Sequence, residues 1–194
     1  MRSQSQLWWY AARAAGIVAW ALLAASVGWG LALSTRALGR RPRPAWLLDL
    51  HRALGGLAVI FTGVHVVTIM LDSYVHFGLA EALVPLASTW HPVAVAWGIV
   101  AFYLLAAVEI TSLARRRLPN RFWRRVHYAS FPLFVLATVH GLSAGTDTGT
   151  GLAVVATSAA LAPLVLLCAV RIQRRSRGHG GDRGATREAQ PVGA

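Results

Sequence analysis

The chain has 194 residues, of which 56% are hydrophobic and 13% charged. Soluble domains average about 25% charged residues, so this composition excludes a disordered protein and argues against an ordinary soluble enzyme. The formal net charge is +12 and every one of the 19 basic residues is Arg. Basic charge serves nucleic-acid binding when a soluble fold gathers it on one face. Here the Arg clusters separate long apolar blocks, so they read as membrane topology signals and no nucleic-acid partner is expected. The lone Cys168 leaves no disulfide framework and no thiolate metal site.

A bilayer crossing takes about 20 apolar residues. In chain order the spans expected are Leu7–Leu33, Trp46–Leu71, Val93–Leu113, Phe122–Leu142 and Leu152–Val170. The fold expected is therefore all-α, an integral membrane helical bundle of five transmembrane helices. The first span is too long for a signal-peptide core, holds Arg13 inside it and has no clear small-residue cleavage site, so it reads as a retained helix. Between spans two and three, Phe77–Leu86 mixes apolar residues with Glu81 and Pro85 and reads as a short interfacial helix. Residues 1–175 form one transmembrane domain on this reading. Residues 176–194, rich in Gly and Arg, read as a disordered basic tail.

The loops set an orientation. Arg36, Arg40, Arg41 and Arg43 follow span one, and Arg115, Arg116, Arg117, Arg121, Arg124 and Arg125 follow span three. Arg171, Arg174, Arg175, Arg177, Arg183 and Arg187 follow span five. The opposite loops carry Asp72, Glu81 and Asp147 and no Arg. Arg is retained on the cytoplasmic side during insertion. A multi-pass protein of the cell membrane is expected, with its N-terminus outside and its C-terminus in the cytoplasm.

Four of the seven His fall inside spans, where ionisable residues are costly and read as functional by default. His51 and His65 are in span two, His127 and His140 in span four. The two spans run in the same direction, so the four residues make two layers: His51 with His127 near the cytoplasm, His65 with His140 near the outside. His51 and His65 are 14 residues apart, about 21 Å and within about 40° of one helix face. Gly55, Ala58 and Thr62 share that face and leave room for a bulky planar group. Imidazole is a strong iron ligand, and two His on facing helices can hold a haem in a bundle. Zinc would want three or four ligands at one point. His127 and His140 are 13 apart, about 140° out of register on a regular helix. Pro132 lies between them, and a departure from α geometry is expected there. The reading from another class is a non-redox transporter or assembly factor that uses intramembrane His for protons or metal.

The stretches LHRALGGLAVIFTGVH and WRRVHYASFPLFVLATVHG resemble the ferric reductase-like transmembrane domain. Iron reductases, NADPH oxidases and the haem membrane subunit of a bacterial methionine sulfoxide reductase system share it. The resemblance implies two parallel helices and two b-type haems, or one in some members. His51 would pair with His127, and His65 with His140, as axial ligands of the haem iron. It implies electron transfer across the membrane toward an acceptor on the outer face. The family usually has six helices, against five spans here. Many members carry a cytoplasmic flavin and nicotinamide domain, and this sequence has no Gly-rich dinucleotide fingerprint. The donor expected is a separate cytoplasmic flavin-dependent reductase or membrane quinol.

Secondary positions divide between function and anchoring. Arg13 should share the depth of His65; it reads either as a bidentate partner of a haem propionate or as an Arg reaching to the interface. Arg52, Arg124 and Arg125 read the same two ways at the inner side, with anchoring favoured, and Asp49 with Arg52 forms an i,i+3 pair. His76 and His91 lie on the outer side, as acceptor-site residues or as solvated loop residues. Trp8, Trp9, Trp46, Trp90 and Trp123 sit at span ends as interfacial anchors do. Trp20, Trp29 and Trp97 lie deeper.

Overall fold

The computed structural model describes residues 2–35, 45–72, 77–145, 150–151, 154–155, 157–162, 164–166, 168–170 and 172–173. His76, Asp147, the tail from Ser176 and the Arg clusters at 36–43 and 171–187 lie outside them. The elements are α1 Arg2–Thr35, α2 Ala45–Leu71, α3 Leu79–Leu83, α4 Pro92–Leu113, α5 Asn120–Tyr128 and α6 Ser130–Ala144. A single 3₁₀ turn, Arg115–Arg117, follows α4. No strand occurs among the described residues. Proline marks two starts: Pro92 opens α4 and Pro119 precedes α5, as its fixed φ and missing N–H favour.

Among the described residues three helices are long and apolar enough to cross a membrane: Gln6–Thr35 within α1, all of α2 and all of α4. The fourth expected span is not one helix but two, α5 and α6, hinged at Ala129. The cause is Pro132. It has no N–H, so the Tyr128 carbonyl lacks the donor an α-helix would give it four residues on. Ala129 accordingly closes a tighter turn, its N–H bonding Val126 O at 2.9 Å, and regular bonding resumes with Leu133 N–H to Ala129 O at 2.9 Å. The irregularity expected near Pro132 thus falls three residues before it. The fifth expected span is helical at every described residue from Thr157 to Val170, and Gly151, Val154, Val155, Ile172 and Gln173 on either side are helical too.

α1 and α2 are antiparallel: His65 meets Ala12 and His51 meets Ser26. α2 runs parallel to α5 and α6, since His51 stands beside His127 of α5 and His65 beside His140 of α6. The extensive backbone packing is α1 on α2 and α4 on α6, with α1 also against α6. α2 has little backbone contact with α5 or α6, so the imidazoles meet across a gap. The core lies on the other flank, where Leu23, Val27 and Leu31 of α1 meet Ala101 and Leu105 of α4 and Leu133 and Phe134 of α6. Leu161, Leu164 and Cys168, one face of the last helix at helical spacing, close this cluster. Large apolar side chains such as Ile60, Ile110 and Val165 point outward and are exposed, the inverse of a soluble fold and the surface lipid requires.

A cap covers the His65 end. Phe77 is buried against Ile69, Trp90, Val95 and Ile99. α3, the short helix expected in this loop, is fastened by Tyr103 Oη donating to Leu83 O at 2.6 Å. The Glu81 carboxylate accepts the Gly78 N–H at 3.0 Å, capping the helix start.

Candidate functional site

The four span histidines form two pairs. The rings of His51 and His127 are 6.0 Å apart between centres and 80° apart in plane. Those of His65 and His140 are 6.3 Å and 74° apart. The break at Ala129 falls between His127 and His140. One helix run straight through both residues would leave them about 140° out of register.

Three of the four rings are held from behind. His65 Nδ1 lies 2.7 Å from Ala12 O on α1, and His140 Nδ1 lies 2.8 Å from Ala94 O on α4. His51 Nδ1 lies 3.1 Å from Ser26 O, with Ser26 Oγ at 3.4 Å. A carbonyl oxygen only accepts, so Nδ1 must donate in all three. The proton is thereby placed on Nδ1, and Nε2 keeps its lone pair. This is the second contact that orients imidazoles which bind metals, and it raises the basicity of the ligating nitrogen.

A repeated local pattern makes these contacts reachable. In a helix the carbonyl of residue i already accepts the N–H of residue i+4, and the side chain there crowds its outer face. Behind each of the three acceptors residue i+4 is glycine: Gly16 after Ala12, Gly30 after Ser26, Gly98 after Ala94. A Cβ at Gly98 would lie 2.7 Å from His140 Nδ1, one at Gly16 3.0 Å from His65 Nδ1, and one at Gly30 3.2 Å from His51 Cε1. Gly16 and Gly30 are 14 residues apart on α1, matching His51 and His65 on antiparallel α2. Sequence reasoning found the histidines and missed these glycines, although the mirrored spacing was there to be seen.

A cavity of about 270 Å³ opens at the His65 end. His65 and His140 line it, with Trp20, Leu23, Ala58, Thr62 and Leu133 among its mainly apolar walls and Trp9, Phe77, Glu81 and Trp90 toward the cap. Arg13 lines the same cavity, at the depth expected for it. Ala58 and Thr62 face this space, but Gly55 does not. Its room is taken by the Glu109 carboxylate of α4: a Cβ there would meet Oε1 at 2.5 Å. The planar space expected along the α2 face is therefore open beside His65 and filled one turn above His51.

The residues fit a metal held by two imidazoles. A metal–imidazole nitrogen bond is about 2 Å, and a ring centre lies about 1 Å behind its nitrogen, so two opposed ligands put their centres about 6 Å apart. No group of three or more His, Cys, Asp or Glu suited to a metal occurs among the described residues. Two nitrogen donors per layer is the donor set a porphyrin iron leaves for a protein to fill.

The secondary positions separate. Arg52 is exposed and pairs with Asp49 at 3.1 Å; Arg124 reaches Tyr128 Oη at 3.4 Å, and Arg125 is exposed. His91 is exposed in the turn before α4, edge-on to Trp90, and lines a shallow groove with Trp97, away from the cavity. Trp20 donates to Thr138 Oγ1 at 3.0 Å and stacks on Phe134. Trp29 donates to Leu47 O at 2.9 Å, tying α1 to the start of α2.

The family described as ferric reductase like transmembrane component matches residues 15–138, well over half of the chain and inclusive of His51, His65 and His127. No curated protein and no solved structure matches significantly.

Proposed function

The chain belongs to the ferric reductase-like transmembrane family, and we propose that it carries electrons across the bilayer through two b-type haems. His51 and His127 would ligate the inner one, His65 and His140 the outer one. The observation that carries this reading is the pairing itself: two sets of facing imidazoles, ring centres 6.0 and 6.3 Å apart, three of the four rings backed by a carbonyl.

Bound haem would supply a one-electron iron couple in each layer. The protein's own part is different. Ala12, Ser26 and Ala94 carbonyls hold the Nδ1 protons and so aim Nε2. The apolar helices keep water from the path and fix the two layers about 21 Å apart along α2. Arg13, on the cavity wall, would pair with a propionate of the outer haem. Should one centre only be held, the outer one has the stronger support, because the cavity lies at His65 and His140.

The Arg-rich end would face the cytoplasm, which puts the C-terminus inside and the N-terminus outside in the cell membrane. The electron source would be a separate flavin-dependent reductase, or quinol from the membrane. Exposed Arg116, Arg117, Arg121 and Arg125 give an acidic partner a surface of opposite charge. The acceptor would lie on the outer side, beyond the cap.

Sealed vesicles holding the haem-loaded protein test this directly. With a flavin reductase and NADPH on the Arg-rich side and ferricyanide on the other, ferricyanide should be reduced across the membrane. NADPH without the reductase should reduce it at the leak rate. Equal rates in vesicles with and without the protein would contradict electron transfer, and rapid reduction by NADPH alone would place the donor site in this chain.

Pro132→Ala gives a second expectation. It restores the donor for the Tyr128 carbonyl, so α5 and α6 should fuse and rotate His127 away from its partner. Haem content should fall toward one per chain, and full content in this variant would mean that the break is not needed to align the rings.

A further inference from the structure

His127 is the one imidazole of the four without an acceptor behind it. Its Nδ1 is buried and has no hydrogen-bond partner among the described residues. The ring lies instead on the indole of Trp123, centres 5.0 Å apart and planes 23° apart. Trp123 and His127 are i and i+4 on α5 and so share a face. The Arg115 guanidinium, from the turn before α5, stands over the same indole at 4.3 Å from its centre. No described carbonyl meets the His127 Nδ1, as those of α1 meet His51 and His65 and that of α4 meets His140.

Building on the two-haem reading above, we propose that Trp123 is the positioning residue of His127, and that the inner centre, held by one anchored and one stacked imidazole, is the easier of the two to reduce. A carbonyl at Nδ1 draws on that proton and makes Nε2 a stronger donor, which favours oxidised iron. The outer pair has this support on both rings, the inner pair on one. The reduction equilibria should differ by at least tenfold, about 60 mV for one electron. A stacking surface also sets ring orientation less strictly than a directed hydrogen bond, so the seating of His127 should depend on Trp123.

The test is a potentiometric titration of the haem-loaded full chain, followed optically and by electron paramagnetic resonance. The inner centre is identified as the one lost in His51→Ala. It should titrate at the higher potential. Trp123→Ala should shift that potential or convert the centre from low to high spin, while the outer centre, serving as the folding control, keeps its signature. Trp123→Phe, which preserves a ring to stack on, should restore the wild-type behaviour. The proposal is overturned if the inner centre titrates at or below the outer one, if Trp123→Ala leaves its potential and spin state unchanged, or if Trp123→Phe behaves as Trp123→Ala does. Wild-type protein that binds no haem would defeat the two-haem reading before any variant is made, so the two failures are distinguishable.

Discussion

Replacing His65 or His140 by Ala should remove one haem per chain and leave the other in place. The expected loss of affinity at that layer is about a hundredfold or more, because breaking only the hydrogen bond behind a metal-bound His already costs about 10–100-fold. Unfolding is a poor competing explanation. His65→Ala deletes one interhelical bond, to Ala12 O, and such bonds contribute about 0.6 kcal/mol on average within membranes. The packing of Leu31 and Leu133, each 2% exposed, is untouched. His51→Ala and His127→Ala should remove the other haem. Pigment quantitation on the four single variants checks the set, and full haem content in all four would reject the assignment.

The glycines behind the ligands give the second large effect, and it should be graded. Gly98→Ala puts a Cβ 2.7 Å from His140 Nδ1 and 2.8 Å from its Cε1, contacts no folded protein tolerates, so the ring must leave the Ala94 carbonyl. A loss of about 10–100-fold in haem affinity at the outer layer follows. Gly16→Ala, at 3.0 Å from His65 Nδ1, should cost less, and Gly30→Ala, at 3.2 Å from His51 Cε1, least. Gly63 is the control. A Cβ there meets nothing within 4 Å, so Gly63→Ala should leave haem content unchanged and stabilise α2 by about 0.5–1 kcal/mol. Haem titrations on the four variants should follow that order; equal effects at Gly63 and Gly98 would mean that helix propensity, not room for the imidazole, is being measured.

These glycines also mark where sequence reasoning reached its limit. Histidines at matched depth on two parallel apolar segments were legible because membrane burial makes ionisable residues conspicuous. The acceptors were not, because a backbone carbonyl has no letter of its own; Ala12, Ser26 and Ala94 become partners only once α1 and α4 have docked. The mismatch between His127 and His140 was legible as a problem and Pro132 as the residue that could relieve it. The hinge sits at Ala129 because the bond that proline cannot make belongs to Tyr128, four residues earlier. Five spans were expected from hydropathy alone. Hydropathy does not register that break, so the fourth span reads as continuous. Gly55 seemed to leave space on α2, yet Glu109 from another helix fills it, a fact no single-helix periodicity can contain.

The measurement that bears most directly on the account is the reduced-minus-oxidised absorption spectrum of the purified membrane protein, with haem quantified per chain. Two low-spin haems with bis-imidazole character are predicted, one of them lost in His51→Ala and the other in His65→Ala. A protein purified from haem-replete cells that shows no haem absorption, and takes up none on reconstitution, would contradict it.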